Sequence, residues 1–205
     1  MKRINLVKKL IKKSLEESLA RIDPTGKIKL SEFSVVPPSD LIIQGLLGGL
    51  HLVGFAIGDG PELIMALDFN NSSAAVLSHI LKLKKNEILE VCDVKELMES
   101  LFKEVGNIIA GQFAGRLSNF LGEGLLPSVP FLISSATQFE RVLYCLGDGM
   151  RLPVFAGVIE GETGDRIEVY IIPSPDFIKE IENNPSLIRE LSDENSPFRR
   201  GEHGH

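Results

Sequence analysis

The stretch SLFKEVGNIIAG, residues 100–111, decides how this chain is read. At about 100° per residue, Ser100, Glu104, Asn107, Gly111 and then Gly115 fall within roughly 80° of one another on a helix. Leu101, Val105, Ile108, Ile109, Phe113 and Phe120 fill the other side. A polar stripe opposite an apolar arc is the signature of a surface helix. The pattern predicts a long helix over 94–121, capped by Asp93 and stopped by Gly122. Gly106, Gly111 and Gly115 each cost such a helix up to about 1 kcal/mol relative to Ala. Two readings explain them: close packing against a neighbour, or a surface kept low for a partner.

Upstream, Ile4, Val7, Leu10, Ile11, Leu15, Leu19 and Ile22 recur at helical spacing and predict a helix over 4–21, ended by Asp23-Pro24-Thr25-Gly26. Its lysines suit a solvated face better than an anionic partner or a membrane surface. Residues 27–36 alternate as a strand does, and Pro37-Pro38-Ser39-Asp40 breaks them. LIIQGLLGGLHLVGFAI holds four glycines, which disfavour a helix interior, so two strands are expected at 41–47 and 49–57. Gly58-Asp59-Gly60-Pro61 reads as a turn rather than a phosphate loop, because no helix and no Lys-Ser/Thr pair follows. A further strand, ELIMALDF, and a helix to residue 83 capped by Asn70 or Asn71 complete the first half.

Downstream, four apolar segments at 131–135, 139–146, 153–160 and 166–172 read as strands. Gly147-Asp148-Gly149 and Gly161-Glu162-Thr163-Gly164 read as hairpin turns between them. This order predicts an α+β fold with a largely antiparallel sheet and long helices packed on it. Residues 1–173 are expected to form one domain. Residues 174–205 read as a polar extension, with a short helix near 176–183 and the last ~15 residues disordered by composition.

The 205 residues are 43% hydrophobic and 24% charged, which supports a real core, and the absence of Trp leaves that core to Leu, Ile and Val. A net charge of -6 argues against nucleic acid as the main partner. Cys92 and Cys145 are far apart, form no CxxC and read as small core residues in a reducing compartment. A cytoplasmic protein is the expectation. No apolar run is long enough for a membrane span, and the Lys-interrupted start lacks a secretory pattern. His51 and His79 stand alone, and the terminal EHGH reads as tail rather than metal site. No Ser/His/Asp order or G-x-S-x-G elbow is visible.

Spacing adds more. Ser100, Glu104, Asn107 and Pro130 fit [Asp/Ser]-x3-Glu-x2-Asn-x22-Pro, and Ala110-Gly111 continue the Asn as Asn-x-x-Ala-Gly. In this the chain resembles the CheC, CheX and FliY phosphatases of bacterial chemotaxis. The resemblance is sharp over 96–133 and follows element order over 1–173. The N-terminal helix has no Glu-x-x-Asn, so the chain carries one motif helix and looks most like CheX.

The resemblance implies a CheC/CheX-like fold and hydrolysis of the aspartyl phosphate of a CheY-like response-regulator receiver domain. Asn107 would hold the attacking water, and Glu104 would pair with the receiver's lysine. Ser100, Lys103, Gly111 and Gly115 would contact the partner, and Pro130 would shape the start of the following strand. It implies no cofactor of its own, with Mg²⁺ carried by the receiver, and a homodimer joined at sheet edges. The alternative is a non-catalytic receiver-binding module or flagellar-switch scaffold.

Overall fold

A computed structural model of the chain describes residues 2–48, 52–59, 62–69, 74–82 and 95–193. In order the elements are α1 (Lys2–Ile22), β1 (Ile28–Val36), α2 (Pro38–Gly48), β2 (Leu52–Ile57), β3 (Leu63–Asp68) and α3 (Ala74–Leu81). Then follow α4 (Lys95–Leu121), β4 (Phe131–Ile133), α5 (Ala136–Cys145), β5 (Val154–Gly161), β6 (Arg166–Pro173), α6 (Pro175–Asn183) and α7 (Pro185–Asp193). The strands form one six-stranded sheet in the order β1-β5-β6-β3-β2-β4. Every pair is antiparallel. The α+β class and the antiparallel sheet are as the sequence predicts.

Both faces of the sheet are covered, because its central strands are apolar on both sides. In β3, Leu63, Met65 and Leu67 point into the larger core beneath α1, α3, α4, α6 and α7. Ile64 and Ala66 point into a smaller core, with Leu41 of α2 and Phe139 and Leu143 of α5. The period of two along each strand thus divides the molecule into three layers.

Two predicted strands are helices. Residues 41–47 lie in α2, whose first turn uses the residues read as a breaker. Pro38 stands at the first helical position, where its missing N–H costs nothing, and Asp40 lies in the first turn. Of the four glycines weighed against a helix, only Gly45 lies inside it; Gly48 is its last residue, and Gly54 belongs to β2. Residues 139–146 lie in α5, capped by Ser135, whose Oγ accepts from Gln138 N at 3.2 Å. Phe139 and Leu143, one turn apart, are its buried residues. Gly147-Asp148-Gly149 therefore ends a helix and leads into a 3-10 turn (Gly149–Arg151) rather than closing a hairpin. The β5–β6 hairpin forms as expected, with Gly161 N donating to Asp165 O at 2.9 Å.

The core continues past Pro173. Phe177 and Ile181 of α6, and Leu187 and Leu191 of α7, are all 2% exposed or less and join the larger core. Most residues of these helices are polar, yet each buries an apolar pair one turn apart. The predicted extension is helical as far as Asp193 and packed as far as Leu191; residues 194–205 lie outside the described residues.

One buried carboxylate ties three elements together. Asp23, 3% exposed, follows α1. Its oxygens accept from Thr25 N at 3.0 Å, Thr25 Oγ1 at 2.5 Å and Ile28 N at 2.8 Å. His79 Nε2 of α3 lies 3.1 Å from Oδ1. Burial pushes this carboxyl up, but the hydrogen bonds from Thr25, Ile28 and His79 outweigh it and hold it well below the usual carboxylate range.

Candidate functional site on the motif helix

The 27-residue α4 is seated by its apolar side. Val105, Ile109, Phe113 and Leu117 are fully buried, with Ala110 and Ala114 beside them. Phe102 stacks on Phe69, with ring centroids 4.7 Å apart. Toward the other end, Arg116 approaches Glu17 at 3.8 Å, and Lys13 lies 4.8 Å from the Phe120 ring centroid. Ser118 Oγ donates to Ala114 O and accepts from Leu125 N, both at 2.8 Å. Gly122, at φ +76, ends the helix. A helix fixed along its length gives its outer side chains fixed spacing.

The outer side is the predicted stripe. Ser100, Glu104, Asn107, Gly111 and Gly115 are all exposed, and Lys103 is half-buried beside them. Neither Glu104 nor Asn107 has a hydrogen-bond or ion-pair partner among the described residues. A carboxylate and a carboxamide one turn apart thus present free acceptors, and the amide presents donors as well.

The three glycines separate cleanly. A Cβ on Gly106 would stand 2.7 Å from Phe55 Cζ and 2.8 Å from Cε2, so this glycine lets α4 rest on β2. A Cβ on Gly111 or Gly115 would meet nothing within 4 Å. Packing requires the first and makes no demand on the other two.

Pro130 belongs to a run along the outer side of β2, not to the stripe. Pro127 bridges Ile57, Ser128 N donates to Ala56 O at 2.7 Å, and Ser128 Oγ accepts from Ala56 N at 3.0 Å. Regular pairing resumes at Phe131 opposite Gly54. Four steps on the outer chain therefore match three on β2 between these points, and one residue is extra. Pro130 falls in that irregularity, where an N–H has no ladder partner to lose. Phe131 then covers Gly54, its ring filling the space a Cβ would need.

Other predicted features resolve differently. Cys145 is exposed rather than in the core, because α5 turns Phe139 and Leu143 inward and leaves its last residue outside. Cys92, His51 and the caps Asn70, Asn71 and Asp93 lie outside the described residues. His79 has a structural partner in Asp23, which sequence spacing gave no way to find. Among the described residues, no group of three or more His, Cys, Asp or Glu is arranged to hold a metal. No described helix is long and apolar enough to cross a membrane.

A second polar feature escaped the sequence reading. One carboxylate oxygen of Glu62 is buried without a hydrogen-bond partner. Burial, then the nearby charges of Glu180, Glu123 and Asp59, push this carboxyl up. Glu180 is pushed up likewise by burial and by Glu123.

The profile of the CheC-like family matches residues 97–134, the segment that runs from the start of the stripe through Pro130. Over this segment the chain is similar to the CheC-like family. FliY from Thermotoga maritima is similar over 91% of this CheC-like chain and 93% of its own, at 18% identity and a TM-score of 0.58. The FliM middle domain from Vibrio alginolyticus is similar over 87% and 99%, at 9% identity and a TM-score of 0.55. CheX from Borrelia burgdorferi, solved in complex with CheY, BeF3 and Mg²⁺, is similar over 80% and 94%, at 18% identity and a TM-score of 0.48. The first two likenesses show a shared fold that spans almost the whole of this CheC-like protein. No curated protein sequence matches it.

Proposed function

We propose that this CheC-like protein is a phosphatase acting on the aspartyl phosphate of a response-regulator receiver domain. The observation that carries the reading is the pair Glu104 and Asn107, exposed, without a partner among the described residues, and one turn apart on a helix whose other side is buried. The spacing to Pro130 and the family match over the same segment support it.

The chemical demand is modest. An acyl phosphate is already reactive, so catalysis consists mainly of placing water in line with phosphorus. Asn107 suits this: its carbonyl oxygen accepts a hydrogen bond from water, and its neutrality avoids repelling the phosphoryl oxygens. Glu104 pairs with the receiver's lysine and sets the register of docking, so that water held by Asn107 faces the phosphorus. The receiver supplies its own Mg²⁺. Attack by water breaks the acyl-phosphate P–O bond, releases inorganic phosphate and returns the receiver carboxylate. No covalent intermediate forms on this protein. Gly111 and Gly115 leave clearance for the receiver surface along the next two turns, and Ser100 and Lys103 border the contact.

The test is a time course of receiver dephosphorylation with wild type, Asn107→Ala and Glu104→Ala. Asn107→Ala is expected to abolish the acceleration while still binding the receiver. Glu104→Ala is expected to weaken the productive complex. Binding with no change in phosphate lifetime for the wild type overturns the catalytic reading in favour of a receiver-binding or flagellar-switch scaffold. The FliM-like fold is compatible with that second reading.

A further inference from the structure

Charge is segregated along this chain. Residues 2–13 carry six Lys or Arg and no Asp or Glu, although the chain as a whole is at -6. All six lie on α1, whose first turn holds no acidic residue. Cations at a helix N-terminus oppose the helix dipole, so helix stability does not account for them. The fold engages Lys13, which also lies over the Phe120 ring, but it does not consume Lys8, Lys9 or Lys12. Lys12 meets Glu16 at 3.5 Å with both side chains half exposed, and Lys13 reaches Glu190 at 3.7 Å. Lys8 and Lys9 have no ion-pair partner among the described residues.

The setting of these charges is rigid. Val7, Leu10 and Ile11 are fully buried, which fixes the backbone that carries the lysines. Lys9 and Lys12 point outward, Lys8 flanks them half-buried, and Ile4 is 38% exposed at the same end. The described charges of this face, Lys8, Lys9 and Lys12, are lysine ammonium groups rather than arginine forks. Point charges on one face, with an apolar residue at their margin, fit many mobile phosphates better than one fixed carboxylate or phosphate.

We propose that the N-terminal half of α1 docks this protein peripherally on an anionic lipid bilayer surface. The remainder of the chain carries the whole negative excess and is repelled by the same surface, so contact through α1 also sets an orientation. The inference is independent of the phosphatase reading, because it uses none of the stripe residues.

The test is co-sedimentation of the full chain with phosphatidylcholine vesicles, with and without an equal part of phosphatidylserine. It is run at low ionic strength and again at about 0.5 M salt. Binding is expected only to the anionic vesicles and only at low salt. The Lys8→Gln/Lys9→Gln/Lys12→Gln variant is expected to lose about fivefold per lysine, on the order of a hundredfold in all. Lys27→Gln/Lys179→Gln, on other elements, is expected to bind as wild type. Thermal unfolding confirms that each variant is folded. No sedimentation of wild type with anionic vesicles at low salt overturns the proposal. Equal binding by the triple variant, or equal binding to neutral vesicles, overturns it as well. Binding to polyglutamate or RNA without vesicle binding also overturns it and assigns the face to a macromolecular polyanion.

Discussion

Replacing the three glycines of α4 by alanine tests the account of this helix, because the expected effects differ in sign. Gly111 and Gly115 are exposed, and a Cβ at either meets nothing within 4 Å. In a helix interior such a change stabilises by up to about 1 kcal/mol through backbone entropy and propensity. The two sites lie one helical turn apart, so their combined effect is at most roughly 2 kcal/mol. For a chain of this size that raises the unfolding midpoint by at most about 4–8 °C. At Gly106 the new methyl would stand 2.7 Å from the ring of Phe55, a side chain that is fully buried and has no room to retreat. Overpacking of that kind costs about 1–3 kcal/mol. Thermal and urea unfolding of Gly111→Ala/Gly115→Ala and of Gly106→Ala measure both. The stabilised double variant is also expected to dephosphorylate a receiver more slowly, since two methyl groups then stand where the partner approaches. Destabilisation by Gly111→Ala, or stabilisation by Gly106→Ala, would refute the seating of α4 described above. A stabilised double variant with undiminished activity would refute the clearance role of the two open glycines.

Three further predictions rest on the core and on buried charge. Asp23→Asn removes an acceptor that serves Thr25 and Ile28, and is expected to cost about 2–3 kcal/mol at neutral pH in urea unfolding. Because folding lowers the Asp23 pKa, its contribution is fully present above the unfolded value and fades as pH falls through the acid range; the variant should lose that acid dependence. Glu62 has the opposite sign: folding raises its pKa, so its contribution is present below 4.5 and fades as pH rises through the folded value. Glu62→Gln is therefore expected to unfold at higher urea than wild type at pH 7, with the gap closing near pH 4. Phe177→Ala is expected to cost about 3–5 kcal/mol, as a fully buried aromatic should, and a chain ending at Pro173 should fail to give a cooperative unfolding transition.

What the sequence disclosed follows from how far each periodicity runs. The motif helix was legible because its stripe holds its period from Ser100 to Gly115 and its apolar arc from Leu101 to Phe120. Its chemistry was legible because Glu104, Asn107 and Pro130 keep a spacing that no secondary-structure argument requires. The run at 41–47 was misread because a continuous apolar stretch carries no period to tell helix from strand. In α5 the deciding signal was the turn between Phe139 and Leu143, which the stretch 139–146 taken as a strand concealed. The roles of the three glycines were beyond the sequence: the side chain that occupies the space above Gly106 comes from β2. The same holds for Asp23 and His79, which meet only because the end of α1 folds back beside α3.

The packing of α6 and α7 against α1 has a consequence for how the molecule is made. Part of α1 is covered by helices that are synthesised well after it, and Lys13 meets Glu190 across that seam. β1 likewise waits for β5, with Ile28 paired to Gly161. At roughly 5–20 residues per second, the part of α1 that α6 and α7 cover stands bare for on the order of ten to forty seconds behind a growing chain. No early segment can complete its own core, so folding is governed by non-local closure and is slow for the length. A chain stalled or clipped before α7 leaves the part of the core that Leu187 and Leu191 close exposed, and is therefore a substrate for chaperones and proteases.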